Sequence, residues 1–146
     1  MMWISPATSP SRSLSSDAGR AVIVGIGVDA CSVERWEAAC ARRPGFADRW
    51  LTPAEAATRV ESQAARFAAK EALAKALRIE RGLGWHDAEV VTDDAGRPSF
   101  EVTGTVAARM RELGVTRVHL SLSHDAGMAL AFVVAEGSPG RPRPSH

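Results

Sequence analysis

Arg66-Phe67-Ala68-Ala69-Lys70-Glu71-Ala72-Leu73-Ala74-Lys75-Ala76-Leu77 is the stretch around which the rest of the chain is arranged. It holds no Gly, no Pro and no β-branched residue. Ala, Leu, Lys, Glu and Arg are the strongest helix formers, so a helix is predicted. Ala65, Ala68, Ala69, Ala72, Leu73 and Ala76 recur at three- and four-residue steps and make one apolar face. A face built mostly of alanine lets its partner approach closely, which suits a helix lying on a sheet. Glu71 and Lys75 lie one turn apart on another side, flanked by Phe67 and Arg78.

Both lysines of the chain, Lys70 and Lys75, fall in this helix, although Lys and Arg together number 18. Positive charge elsewhere is carried by Arg. An ammonium differs from a guanidinium in being a compact point charge that can titrate. The plain alternative is an ordinary surface pair between Glu71 and Lys75, worth about 0.2–0.5 kcal/mol.

A chain of 146 residues with 45% hydrophobic and 24% charged residues is expected to form one globular domain with a real core. Its net charge of +1 argues against a dedicated nucleic-acid binder, which would carry a large basic excess. Cys31 and Cys40 stand apart from any second Cys or His pair, so neither a zinc site nor a disulfide framework is indicated. Free thiols fit a reducing cytoplasm, the expected location. No apolar run is long enough to span a membrane.

Residues 1–19 are rich in Ser and Pro and read as a disordered extension, and residues 137–146 as a disordered, polyproline-like tail. The folded domain is expected over residues 20–136. Residues 21–29 form a buried strand ending at Asp29, with Gly25 and Gly27 on one face where something approaches the backbone. Asp29 could alternatively cap the next helix. That helix runs from about Ser32 to Arg43 and stops at Pro44-Gly45. A short amphipathic segment (residues 46–51) comes next. Thr52-Pro53-Ala54-Glu55 is a capping box with Pro at the first helical position. This helix is expected to run to about Val60, with the central helix following a break near Ser62.

Gly82-Leu83-Gly84 ends the helical half. Residues 87–92 and 98–102 form a hairpin around Asp93-Asp94-Ala95-Gly96. A helix from Thr103 or Gly104 to Leu113 closes at Gly114. Residues 115–123 alternate, with Val118, Leu120 and Leu122 facing opposite to Arg117, His119, Ser121 and Ser123. His124-Asp125-Ala126-Gly127 turns into a last strand over residues 128–135. The order β-α-α-α-α-β-β-α-β-β implies an α+β domain whose helices cover one face of a largely antiparallel sheet.

Three polar sites stand out: Asp29, Glu71 with Lys75, and Ser121-Leu122-Ser123-His124. Two carboxylates without soft ligands suit a hard cation such as magnesium, completed by water and substrate phosphate oxygens. A Lys and a His nearby would neutralise phosphate charge. The plainer readings are a cap for Asp29, a surface pair for Glu71 and Lys75, and a turn-stabilising His124.

Gly25-Ile26-Gly27-Val28-Asp29 with Glu34-Arg35, then Leu51-Thr52-Pro53-Ala54-Glu55, Arg66-Phe67-Ala68-Ala69-Lys70-Glu71-Ala72 with Lys75-Ala76-Leu77, Gly96-Arg97-Pro98 and Ser121-Leu122-Ser123-His124 stand in a particular order and spacing. Together they resemble the holo-acyl-carrier-protein synthase family, the small-subunit class of phosphopantetheinyl transferases. The resemblance covers about residues 21–136.

It implies a magnesium-dependent transfer of the phosphopantetheine arm of coenzyme A to a serine of an apo-acyl carrier protein, releasing adenosine 3′,5′-bisphosphate. By residue, it implies Asp29 and Glu71 as metal ligands, Lys75 at the pyrophosphate, and Arg66 and His124 as coenzyme A contacts. Phosphoryl transfer rests mainly on positioning and charge stabilisation, which agrees with those roles. Arg35, Arg42 and Arg49 match basic positions expected to dock the acidic carrier, with Arg43 adjoining them. The resemblance further implies a homotrimer with sites between subunits. Arg78 departs from the family, which usually has Gly after Lys-Ala-Leu.

Two other classes compete with this reading. A non-catalytic coenzyme A or polyphosphate-binding module would not need both metal ligands. An RNA-binding domain would need aromatic residues on its sheet, where only Phe100 and Phe132 stand.

Overall fold

The computed structural model describes residues 20–81 and 84–138. The expected tails, apart from Gly137 and Ser138, and the Gly82-Leu83 pair lie outside the described residues. In chain order the elements are β1 (Val22–Ser32), α1 (Val33–Arg42), α2 (Phe46–Trp50), α3 (Pro53–Ala56) and α4 (Val60–Ala76). After a 3-10 turn (Trp85–Asp87) come β2 (Ala88–Thr92), β3 (Pro98–Val102), α5 (Gly104–Leu113), β4 (Val115–Asp125) and β5 (Met128–Gly137).

The strands form two antiparallel sheets. One is three-stranded with the order β1-β5-β4, and the other is the β2-β3 hairpin. The predicted α+β class holds, with the strands divided between two sheets. Helix α4 lies on the three-stranded sheet through the face read from its spacing. Ala65, Ala68, Ala69, Ala72, Leu73 and Ala76 are all buried, and Ala131, Val133 and Ala135 of β5 join the same core.

The close approach predicted at Gly25 and Gly27 is made by this helix. A Cβ on Gly25 would lie 1.9 Å from the Ala76 carbonyl oxygen, and one on Gly27 1.9 Å from that of Ala72. Only glycine on the strand and alanine on the helix let the two backbones meet so closely.

Several boundaries differ from expectation. β1 does not end at Asp29, which pairs with Ala131 inside the ladder. The cap of α1 is Ser32, whose side chain accepts the Arg35 amide. The capping box at Thr52 forms in full, yet α3 stops at Ala56. Helix α4 accordingly starts earlier than predicted, at Val60. The turn after β4 is only Ala126-Gly127, both at positive φ (50° and 73°), as a two-residue type I′ hairpin requires. β5 extends through Gly137, which pairs with both Val22 and Val115, so the strand reaches one residue into the stretch assigned to the tail.

Candidate active site

The contact between α4 and β1 sets the site. Glu71 and Lys75 each precede an alanine of the seam, Ala72 and Ala76, so both side chains leave the helix on one flank. Asp29 follows Gly25 and Gly27 on the alternating face of β1 that meets α4. The three groups therefore converge.

The Lys75 ammonium sits 3.1 Å from Asp29 Oδ1 and donates a 2.9 Å hydrogen bond to the Val28 carbonyl. The one-turn spacing had allowed an ion pair with Glu71, but the lysine crosses to the strand. A carboxylate on the neighbouring strand, with the Val28 carbonyl beside it, offers two acceptors at once. Glu71 is pushed above its ordinary value, first by burial and then by the Asp29 charge. The Lys75 charge opposes this, and a hydrogen bond with Asp29 adds to it.

Two carboxyl groups that share a hydrogen bond in this way repel each other once both are ionised. A hard cation between them would remove that repulsion, so the donor set fits magnesium. No cluster of three or more His, Cys, Asp or Glu side chains with metal-binding geometry occurs among the described residues. Magnesium held by one or two carboxylates ordinarily completes its shell with water and phosphate oxygens. Cys31, two residues beyond Asp29, is pushed up to about 11 by burial and then by the Asp29 and Glu71 charges. Its thiol stays protonated at neutral pH.

A cleft of about 380 Å³ opens beside these groups, lined by Glu71, Lys75, Arg78, Glu80 and Trp85 among others. A larger one of about 530 Å³, lined by Arg81, Thr105, Arg109 and Glu112, shares Arg78, Ile79 and Glu80 with it. The smaller cleft holds Glu71 and the lysine, with Asp29 reached through its contact with Lys75, and the larger adjoins it.

Arg66 and His124 are not brought to this cluster within one chain. His124 Nε2 is 3.2 Å from the Glu61 carbonyl oxygen in the first turn of α4, and Arg66 Nη1 donates to the Ser62 carbonyl at 3.4 Å. Glu61 precedes Glu71 by ten residues, about 15 Å along a helix. Arg66 Nε is buried without a hydrogen-bond partner. His124, Arg59, Glu61 and Ser62 line a separate cleft of about 470 Å³.

Arg35 and Arg42 are exposed on α1, and Arg49 on α2. The Arg49 guanidinium carbon lies 5.5 Å from the Trp50 ring centre. Beside Arg35 is a small apolar recess with Trp36, Phe46 and Phe67 in its wall.

Sequence alone assigns Lys70 no role of its own. Its side chain and that of Glu55 are each 1% exposed, with Nζ 2.6 Å from Glu55 Oε1. Nζ also donates to the Trp85 carbonyl at 2.7 Å. Glu55 further accepts the Thr52 amide on Oε1 and the Val90 amide on Oε2. This buried pair ties α3, α4, β2 and the turn that presents Trp85 to the cleft. The scarcity of lysine was the available signal, since a second lysine amid buried alanines needs a buried partner.

A family model described as the 4′-phosphopantetheinyl transferase superfamily matches residues 25–132. Holo-(acyl-carrier-protein) synthase of Cutibacterium acnes is 60% identical over 117 residues, covering 80% of this chain and 100% of that protein. The Streptomyces avermitilis protein of the same name is 54% identical over 121 residues, covering 79% and 98%. Among solved structures, holo-ACP-synthase from Plasmodium yoelii superposes with a TM-score of 0.74 at 28% identity, covering 83% and 100%. The Helicobacter pylori synthase in complex with coenzyme A gives 0.67 at 32% identity, covering 75% and 98%.

Proposed function

The chain belongs to the 4′-phosphopantetheinyl transferase superfamily, and from that premise we propose that it transfers the phosphopantetheine arm of coenzyme A to a serine of an apo-acyl carrier protein. The bond between the two phosphates of coenzyme A breaks, the serine oxygen bonds to the transferred phosphorus, and adenosine 3′,5′-bisphosphate leaves. The observation that carries this reading is the convergence of Asp29, Glu71 and Lys75 where α4 meets β1.

Asp29 and Glu71 would hold magnesium, which when bound neutralises charge on the diphosphate. Glu71, its carboxyl raised by burial, is suited to accept the proton of the attacking serine hydroxyl. Lys75 stabilises the leaving phosphate, and its compact ammonium fits a position already shared with Asp29 and the Val28 carbonyl. Arg35, Arg42 and Arg49 offer exposed positive charge for an acidic carrier, and such contacts raise the association rate and weaken with salt.

Assembly as a homotrimer is supported by the sheet face opposite α4. Ile26 and Phe132 there are 60% and 47% exposed, and Val28 and Leu130 lie on the same face. A contiguous apolar strip of this kind calls for a cover, and two further copies of the chain would supply it. The separation of Arg66 and His124 from Glu71 supports a site completed by a neighbouring subunit. The two free thiols, Cys31 and Cys40, support placement in the cytoplasm.

Purified protein incubated with coenzyme A, magnesium and a panel of apo carriers from fatty-acid and polyketide assembly should add the mass of one phosphopantetheine to at least one of them. No mass change on any carrier under saturating coenzyme A overturns the activity.

A further inference from the structure

We infer that the Arg78 guanidinium is a second phosphate-binding cation beside Lys75, set to contact the diphosphate of coenzyme A. The inference rests on the transferase reading above and adds a residue to it.

Arg78 occupies a position where the backbone favours glycine. The amide of Leu77 bonds the Leu73 carbonyl, that of Arg78 the Lys75 carbonyl, and that of Ile79 the Ala74 carbonyl. The last two are the bonds of a Schellman motif with Arg78 at its left-handed position, where φ is +52°. A side chain there is strained, and glycine would relieve the strain. The backbone is held in place from α5: Arg109 Nε donates to the Leu77 carbonyl at 3.0 Å and Nη2 to the Arg78 carbonyl at 3.3 Å.

The strained backbone aims the guanidinium at the candidate site. Arg78 stands just beyond the end of α4, three residues after Lys75, and lines the cleft that contains Glu71 and Lys75. Nη2 donates to the Val24 carbonyl at 3.2 Å, its one hydrogen-bond partner among the described residues. The remaining donors of the planar fork are in position for a phosphate. The acids lining it are Glu71 and Glu80, with Asp29 beside Lys75. Without Arg78, a diphosphate entering the cleft would face these acids with Lys75 as the one cation among the described residues of its lining. A role confined to capping the helix end would be served better by glycine.

The test is calorimetric titration of coenzyme A and of dephospho-coenzyme A, each with magnesium, into wild type and Arg78→Gly. Thermal unfolding of both proteins runs alongside. The expected result is about tenfold weaker binding of both ligands to the variant, the size of one charge-assisted hydrogen bond. Its unfolding midpoint should be equal to or above that of wild type. Unchanged binding overturns the inference. So does a loss confined to coenzyme A, which would assign the guanidinium to the 3′-phosphate, and so does a midpoint several degrees lower, which would make the residue structural. A wild type that binds coenzyme A but modifies no carrier overturns the transferase reading and leaves the Arg78 contact intact.

Discussion

Burial and the Asp29 charge raise Glu71, and the direction of that shift fixes two responses to pH. The folded protein keeps a proton that the unfolded chain has already released. Without divalent ions, stability therefore falls as pH climbs from the ordinary glutamate range through the raised folded value. A cation competes with the same proton, so the magnesium concentration for half-maximal activity should fall as pH rises across that window. Activity titrations at a series of pH values check this, and a flat curve contradicts it. Glu71→Gln removes both the repulsion and the ligand. It should lower carrier modification by at least about 100-fold while raising the unfolding midpoint measured without metal. A lowered midpoint would mean that the two carboxyl groups do not oppose one another. The identities of Asp29, Glu71 and Lys75 were legible because their motifs are compact in sequence. The partner of Lys75 was not, because helical spacing fixes which flank a side chain leaves from and tertiary contact chooses its acceptor.

Helix α4 places its chemistry through what it buries. Its alanine seam and the glycines of β1 were readable from periodicity and residue size. The buried pair of Lys70 and Glu55 was not, since Glu55 already had a complete local explanation in the capping box. Its second oxygen goes to the Val90 amide, 35 residues away, and local pattern carries no information about such a bond. The short α3 has the same origin: those contacts, together with Gln63 donating to the Ala56 and Thr58 carbonyls, fix a tight corner where propensity alone would continue the helix. Lys70→Met keeps the length of the side chain but leaves Glu55 buried without its counter-charge. It should cost about 3–5 kcal/mol of stability, read from denaturant unfolding. It should also loosen the Trp85 turn, seen as a change in tryptophan fluorescence below the unfolding transition. A loss under about 1 kcal/mol would show the pair to be replaceable.

At the scale of the whole molecule, the sheet has one face under α4 and one face open. Phe132 lies on the open face of the central strand, so if the proposed trimer forms, Phe132→Asp should convert it to monomers by light scattering and reduce carrier modification at least tenfold. A monomeric wild type, or a variant that remains trimeric, contradicts the assembly. The alternation of β4 was visible in sequence, but nothing in it told which faces of separate strands would be joined. Their order is the feature with the widest consequence. β5 is made last, yet it lies between β1 and β4. While a ribosome is still extending the chain, the strand that bears Asp29 has no neighbour to bond with. It gains one only when residues 128–137 clear the exit tunnel, and such distant pairing is slow to form. An unfinished chain therefore lacks the ladder that holds Asp29 in register opposite Ala131, and the strand is fixed only once β5 has been added.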